Sequence, residues 1–123
     1  MAKHGIVLIC GFVERCVEEI VLDRIKSLAN VRVQNFVKGH FKRGTNYNFV
    51  AIASLLERFD LDWASNFRNL LDGRDDLVEA IRSAYEVRNS IAHGGTANKG
   101  LDEVIRWFNA AQEVVDAMIM ATT

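Results

Sequence analysis

The sequence predicts an all-α fold, a compact bundle of four main helices with one or two short additions. Three observations carry that expectation. The 123-residue chain contains no proline, where average usage would supply roughly six, and proline interrupts the helical ladder. Apolar residues recur at helical spacing in every long segment. No stretch alternates apolar and polar residues between hairpin turns, and no internal repeat or low-complexity tract is visible.

From about Ile6 to Ala29, Ile6, Ile9, Cys10, Val13, Cys16, Val17, Ile20 and Val21 form one stripe. Val7, Leu8 and Phe12 add apolar surface on the opposite side of the first turns. A helix apolar on two sides has to bury both, so part of it is expected to face a second subunit. Val31 to Phe41, with Val33, Phe36 and Val37, suits a second helix, closed by a turn through Gly44, Thr45, Asn46 and Asn48. A third helix follows from Asn48 through Phe49, Ile52, Ala53, Leu55, Leu56 and Phe59. Asp60 or Asp62 then caps a shorter segment with Leu61, Trp63, Ala64, Phe67, Leu70 and Leu71, broken at Asp72–Gly73.

The next helix is expected from about Asp75 to Ile91 or slightly beyond, on the stripe Leu77, Val78, Ile81, Ala84, Tyr85 and Ile91. Asp75 and Asp76 suit its positive dipole end, and Gly94–Gly95 supplies a stop. A polar loop, Thr96 to Gly100, leads to a last helix with Leu101, Val104, Ile105, Phe108, Ala111, Val115, Met118 and Ile119. The length suits one domain over residues 1–123, and 50% apolar residues suffice for one sizeable core.

Fifteen basic against 16 acidic residues give a formal net charge of −1, which excludes a globally basic nucleic-acid binder. Any contact with RNA has to use a local patch, and Lys38, His40, Lys42 and Arg43 form the densest one. Steering of phosphates and a plain solvated helix end are equally open readings of it. Cys10 and Cys16, six apart on one helix, lie roughly 9 Å apart along its axis, too far for a disulfide. Neither their number nor their spacing suggests zinc, and both read as small buried hydrophobes of a reducing, cytoplasmic setting. The apolar run Ile6–Cys10 is too short to span a bilayer and leads into Glu14, Arg15, Glu18 and Glu19, so it reads as a core helix rather than a signal peptide.

One residue breaks the regular pattern. Arg88 follows Ile81 by seven residues and Ala84 by four, so it falls on the apolar face of its helix and needs a partner, an outward route or an interface. His93 comes five residues later, before two glycines. Positions five apart on one continuous helix point about 140° away from each other. The two converge if the helix ends near Ala92 and turns His93 back, or if two copies meet across a two-fold axis.

These residue types suit RNA cleavage by internal transesterification, in which the ribose 2′-hydroxyl attacks the adjacent phosphorus without metal or external nucleophile. A histidine can take or give the proton. A guanidinium can hold the non-bridging oxygens in a fork as charge builds. Asn89 can donate or accept beside the same phosphate. A structural reading competes, with Arg88 paired to Glu14 or Glu18 and His93 capping the helix C-terminus. Trp63 and Trp107 are expected in the core rather than stacked on bases, and so is Tyr85, whose position one turn before Arg88 leaves a supporting role open.

The string Arg88–Asn89–Ser90–Ile91–Ala92–His93 resembles the R-x(4–6)-H signature of HEPN domains, with the polar residue that family carries after the arginine. Ile91–Ala92–His93–Gly94–Gly95 is similar to the "RN-x-IAHG" run of these proteins. Asn46-x-Asn48 before a helix, and Leu55–Leu56 followed by Phe59, resemble the RiboL-PSP-HEPN subgroup. The resemblance implies a dimerising helical bundle and a metal-independent endoribonuclease of a toxin–antitoxin or phage-defence system, without cofactor. The alternative it leaves open is a non-catalytic module binding RNA, a nucleotide or a partner protein. It implies Arg88 and His93 as catalytic residues and Asn89 as a supporting one; Ser90 is expected to support them from the same turn, and Lys38, Lys42 and Arg43 of the basic cluster, with Asn46, are the candidate RNA contacts. The implied partners are RNA, a second copy completing the site, and an antitoxin or other regulatory protein. Toxins of this kind paired with nucleotidyltransferase antitoxins often carry a tyrosine two residues after the histidine. Gly95 stands there, so regulation through that tyrosine is not expected.

Overall fold

A computed structural model describes residues 2–42, 44–94 and 100–123. Arg43, Gly95 and the expected loop residues 96–99 lie outside the described residues. Among those described there are six α-helices and no strand: α1 (Ala2–Ile25), α2 (Val31–His40), α3 (Phe49–Phe59), α4 (Leu61–Leu70), α5 (Asp75–Ala92) and α6 (Leu101–Ala121). The expected all-helical bundle is therefore present, with α1, α5 and α6 the longest members at 24, 18 and 21 residues.

Short polar side chains set several of the boundaries. Asn30 Oδ1 accepts from the Val33 amide at 3.0 Å and starts α2. Asn48 Oδ1 accepts from the Ala51 amide at 2.9 Å and starts α3, while Asn46 Oδ1 accepts from the Asn48 amide at 3.2 Å in the preceding turn. Of the two aspartates considered for α4, Asp60 is the cap, accepting from the amides of Asp62 at 2.8 Å and Trp63 at 3.3 Å. Each bond satisfies a donor that a helix N-terminus otherwise leaves unpaired. Asp60→Ala is expected to lower stability by about 1 kcal/mol, read as a fall of a few degrees in the thermal midpoint. An unchanged midpoint would remove the cap from this account.

Helices α1, α5 and α6 pack mutually; α4 rests on α6, α3 on α4, and α2 on α1. Phe12 meets Phe108 edge-on at 5.6 Å and Arg24 meets Thr122 at 2.9 Å, so α1 and α6 run in the same direction. A Cβ on Gly5 would come within 2.9 Å of Val104, so this pair of helices approaches closely at that glycine. The core is one cluster centred on Ile6, Val13, Val17, Leu56, Phe67, Ile81, Ala84, Tyr85, Ala111 and Met118. Trp107 is buried in it as expected, and Trp63 packs against it half-buried.

The apolar stripe read along α6 needs correction. Val104, Ala111, Val115 and Met118 are buried, joined by Trp107 and Val114, whereas Leu101, Ile105, Phe108 and Ile119 lie on the outer side. The helix is apolar on two faces and the rest of the chain covers one. On α2 only Val37 is buried, because that helix packs chiefly on α1, and Val33 and Phe36 stay exposed. Val7 and Leu8 are exposed on α1, 46% and 58%, while Phe12 is half-buried against Phe108, so its second apolar side is only partly covered within one chain. Both cysteines are free thiols. Cys10 is in the core, where burial pushes its thiol up to about 12, Arg88 opposing and Glu14 adding to the shift. No helix among the described residues is long and apolar enough to cross a membrane.

Candidate functional site

Helix α5 carries Arg88 to the point where it crosses α1. Tyr85, one turn earlier, is 1% exposed, and its hydroxyl donates to the Cys10 carbonyl at 3.5 Å. Burial first, then neighbouring charge, pushes that hydroxyl above the usual tyrosine range, so it stays a neutral donor. The guanidinium of Arg88 lies over the Tyr85 ring, its Cζ 4.8 Å from the centroid. Nη1 donates to Glu14 Oε1 on α1, and Nη2 donates to the Gly44 carbonyl at 2.9 Å. The arginine that interrupts the apolar face thus finds a carboxylate, a carbonyl and an aromatic face, which together offset the cost of its burial. Of the two acids considered as partners, Glu14 forms the pair.

Gly44 supports this arrangement through its backbone. Its φ of +81° is a conformation that L side chains rarely adopt. Thr45 Oγ1 donates back to the Lys42 carbonyl at 2.8 Å and tightens the same loop. Tyr47, 8% exposed, closes it against the core, and burial together with Glu14 and Glu18 raises its hydroxyl above the ordinary range.

Helix α5 stops one residue before His93. His93 is the C-cap, at φ −96° and ψ 19°, with its amide donating to the carbonyls of Asn89 and Ser90 at 3.1 and 3.2 Å. Gly94 follows at φ +87°, the left-handed turn expected of a C-terminal glycine. The imidazole is exposed and, among the described residues, has no hydrogen-bonding partner. The side chains of Asn89 and Ser90 are exposed on the same last turn.

Within one chain no hydrogen bond joins Arg88 to His93: the first is directed inward to α1 and the second lies at the surface. Beside the Arg88–Glu14 pair is an open cleft of about 620 Å³ lined by Gly11, Glu14, Arg15, Glu18, Phe41, Lys42 and Tyr47. Lys42 and Asn46 belong to the segment that carries Gly44. Lys38 lines a separate hollow with Glu19, Asp23 and Gln34, and the His40 ring packs edge-on against Phe36 at 4.6 Å. Lys38 and His40 thus lie on different sides of α2. Glu14 was one of two acids of α1 that the sequence offered as partners, and the structure decides between them. The Gly44 carbonyl had no sequence signal, because every residue carries one.

An all-helical bundle with an arginine on the inner face of a core helix, and a histidine where that helix ends, has the layout of a HEPN domain. The family model for RiboL-PSP-HEPN matches residues 1–121. The chain belongs to the RiboL-PSP-HEPN family. Neither the curated proteins nor the solved structures compared with the chain include a match.

Proposed function

We propose that residues 1–123 act as one domain and that this domain is a metal-independent endoribonuclease. The observation that carries the reading is an oriented guanidinium at Arg88, near the end of α5, together with an exposed imidazole at its C-cap His93 that has no hydrogen-bonding partner among the described residues. In the reaction the ribose 2′-oxygen forms a bond to phosphorus and the bond from phosphorus to the 5′-oxygen breaks. The proton leaves the 2′-hydroxyl and one is delivered to the departing 5′-oxygen. His93 of one copy takes the first proton and His93 of the second copy gives the other, and Arg88 holds the non-bridging oxygens. Asn89 and Ser90 support the phosphate from the same turn, and Lys42, Asn46 and Arg43 bind the RNA backbone, with Lys38 a more distant contact.

Arg88 is directed inward to α1 and His93 lies at the surface, so in this reading two copies compose the working site across a two-fold axis. The uncovered apolar residues suit that assembly. Val7 lies two turns before Glu14 on the same face of α1, and Leu101 and Ile105 open the helix that follows His93. The cellular role that fits is a toxin or phage-defence effector acting on cytoplasmic RNA, restrained by an antitoxin or another regulatory protein.

One observation favours a second reading. Arg88 is tied to Glu14 and Gly44, as it would be in a non-catalytic module whose arginine only braces the fold. Cleavage of single-stranded RNA in excess EDTA separates the two. The nuclease reading expects cleavage at the uninhibited rate, with 2′,3′-cyclic phosphate and 5′-hydroxyl ends. RNA or partner binding with no product at any enzyme concentration would replace it by the binding module.

A further inference from the structure

Arg88 is held by three separate elements: Glu14 from α1, Tyr85 from its own helix, and the backbone of the turn before α3. Its side chain is 15% exposed and that of Glu14 is 19% exposed. Among the described residues, two of the five guanidinium N–H groups are engaged, by Glu14 and Gly44, and Nε–H and one N–H on each terminal nitrogen have no partner there. An arginine on a flexible stem has many rotamers, and fixing the plane of its fork in advance removes an ordering cost from the reaction. The same carboxylate cancels part of the positive charge, so it aids aim rather than attraction.

We propose that Glu14 is the positioning residue of this site: it sets the plane in which Arg88 presents its remaining donors to the scissile phosphate, and the Gly44 carbonyl is the second strut. The proposal rests on the nuclease reading above. It places α1 and the 41–48 turn inside the working apparatus, although neither belongs to the Arg88–His93 string. Orientation matters most where charge develops in the transition state, so losing Glu14 lowers kcat more than it raises KM. The Gly44 strut depends on a positive φ, so Gly44→Ala turns the carbonyl away without touching either charged partner.

The test compares Glu14→Gln, Glu14→Ala and Gly44→Ala with wild type in EDTA. Rates are divided by the folded fraction measured by circular dichroism at the assay temperature. Glu14→Ala is expected to lose about 10- to 100-fold in kcat, with KM for RNA unchanged or lower. Glu14→Gln keeps an acceptor oxygen and is expected to lose roughly ten-fold less than alanine. Gly44→Ala is expected to lose kcat between the two, and it carries the test with Glu14→Gln if the alanine variant fails to fold. A corrected kcat within about two-fold of wild type for Glu14→Ala would overturn the proposal. So would a glutamine variant as impaired as alanine.

A wild-type protein that cuts no RNA removes the nuclease reading alone. The positioning role is then decided by ¹⁵N NMR of the Arg88 guanidinium in complex with uncleavable 2′-O-methyl RNA. Separate, slowly exchanging terminal-nitrogen signals in wild type that merge in the Glu14 variants support it. Identical signals in both overturn it.

Discussion

Arg88→Ala is expected to abolish detectable cleavage and to destabilise the fold in the same stroke. On the catalytic side, removing one oriented donor from a developing oxyanion costs about 10²- to 10³-fold in rate. On the structural side, the change takes from Glu14, its side chain 19% exposed, the ion-pair partner it has in the fold, opens the face of Tyr85, and removes the donor that Arg88 gives the Gly44 carbonyl. Breaking one partner out of a fully buried pair costs about 3–5 kcal/mol. Residual exposure of both side chains reduces that here to roughly 2–3 kcal/mol, or about 10 °C in a chain of this size. The cleavage assay therefore belongs well below the lowered midpoint. Arg88→Lys divides the two effects, since lysine keeps the charge beside Glu14 but not the planar fork. It should recover much of the stability and little of the activity. An Arg88→Ala protein as stable as wild type would show that the pair holds nothing together, and one as active would remove Arg88 from the chemistry.

His93→Ala is expected to behave in the opposite way, losing about 10²- to 10⁴-fold in cleavage while the fold hardly changes. The imidazole is exposed, has no hydrogen-bonding partner among the described residues, and caps α5 only through its backbone amide, which alanine retains. Surface substitutions of this kind stay within about 0.5 kcal/mol. Matched thermal melts and single-turnover cleavage with Arg88→Ala and His93→Ala side by side make the comparison. A composite site adds a further expectation, because a heterodimer of inactive Arg88→Ala and His93→Ala chains holds one Arg88 and one His93, whereas each homodimer lacks one of the two entirely. Partial recovery of cleavage on mixing supports the two-fold arrangement, and no recovery with proven subunit exchange removes it.

The helices and most of their limits were legible because their causes are local; the exception is α1, read from about Ile6 to Ala29 and found at Ala2–Ile25. A 3.6-residue period, an asparagine or aspartate one position ahead, and a glycine just past the end act within a turn or two of the residue concerned. For the same reason Arg88 stood out as misplaced, and His93 as terminal, from spacing alone. The outward face of α6 was not legible. Leu101, Ile105 and Phe108 have the same local spacing as a buried stripe, and only the positions of α1, α4 and α5 decide which of two apolar faces is covered.

What the sequence by itself determined is the all-helical class, the order of the helices, the Arg88–His93 string and the family to which it belongs. What only the tertiary structure decided is where Arg88 points. Glu14 is 74 residues away from it along the chain and Gly44 is 44 residues away. Contacts between such distant positions depend on how α1 crosses α5 and on which way a glycine turns its carbonyl. Neither leaves a periodic mark in the sequence, because periodicity records the face of one helix and not the identity of the residue that meets it.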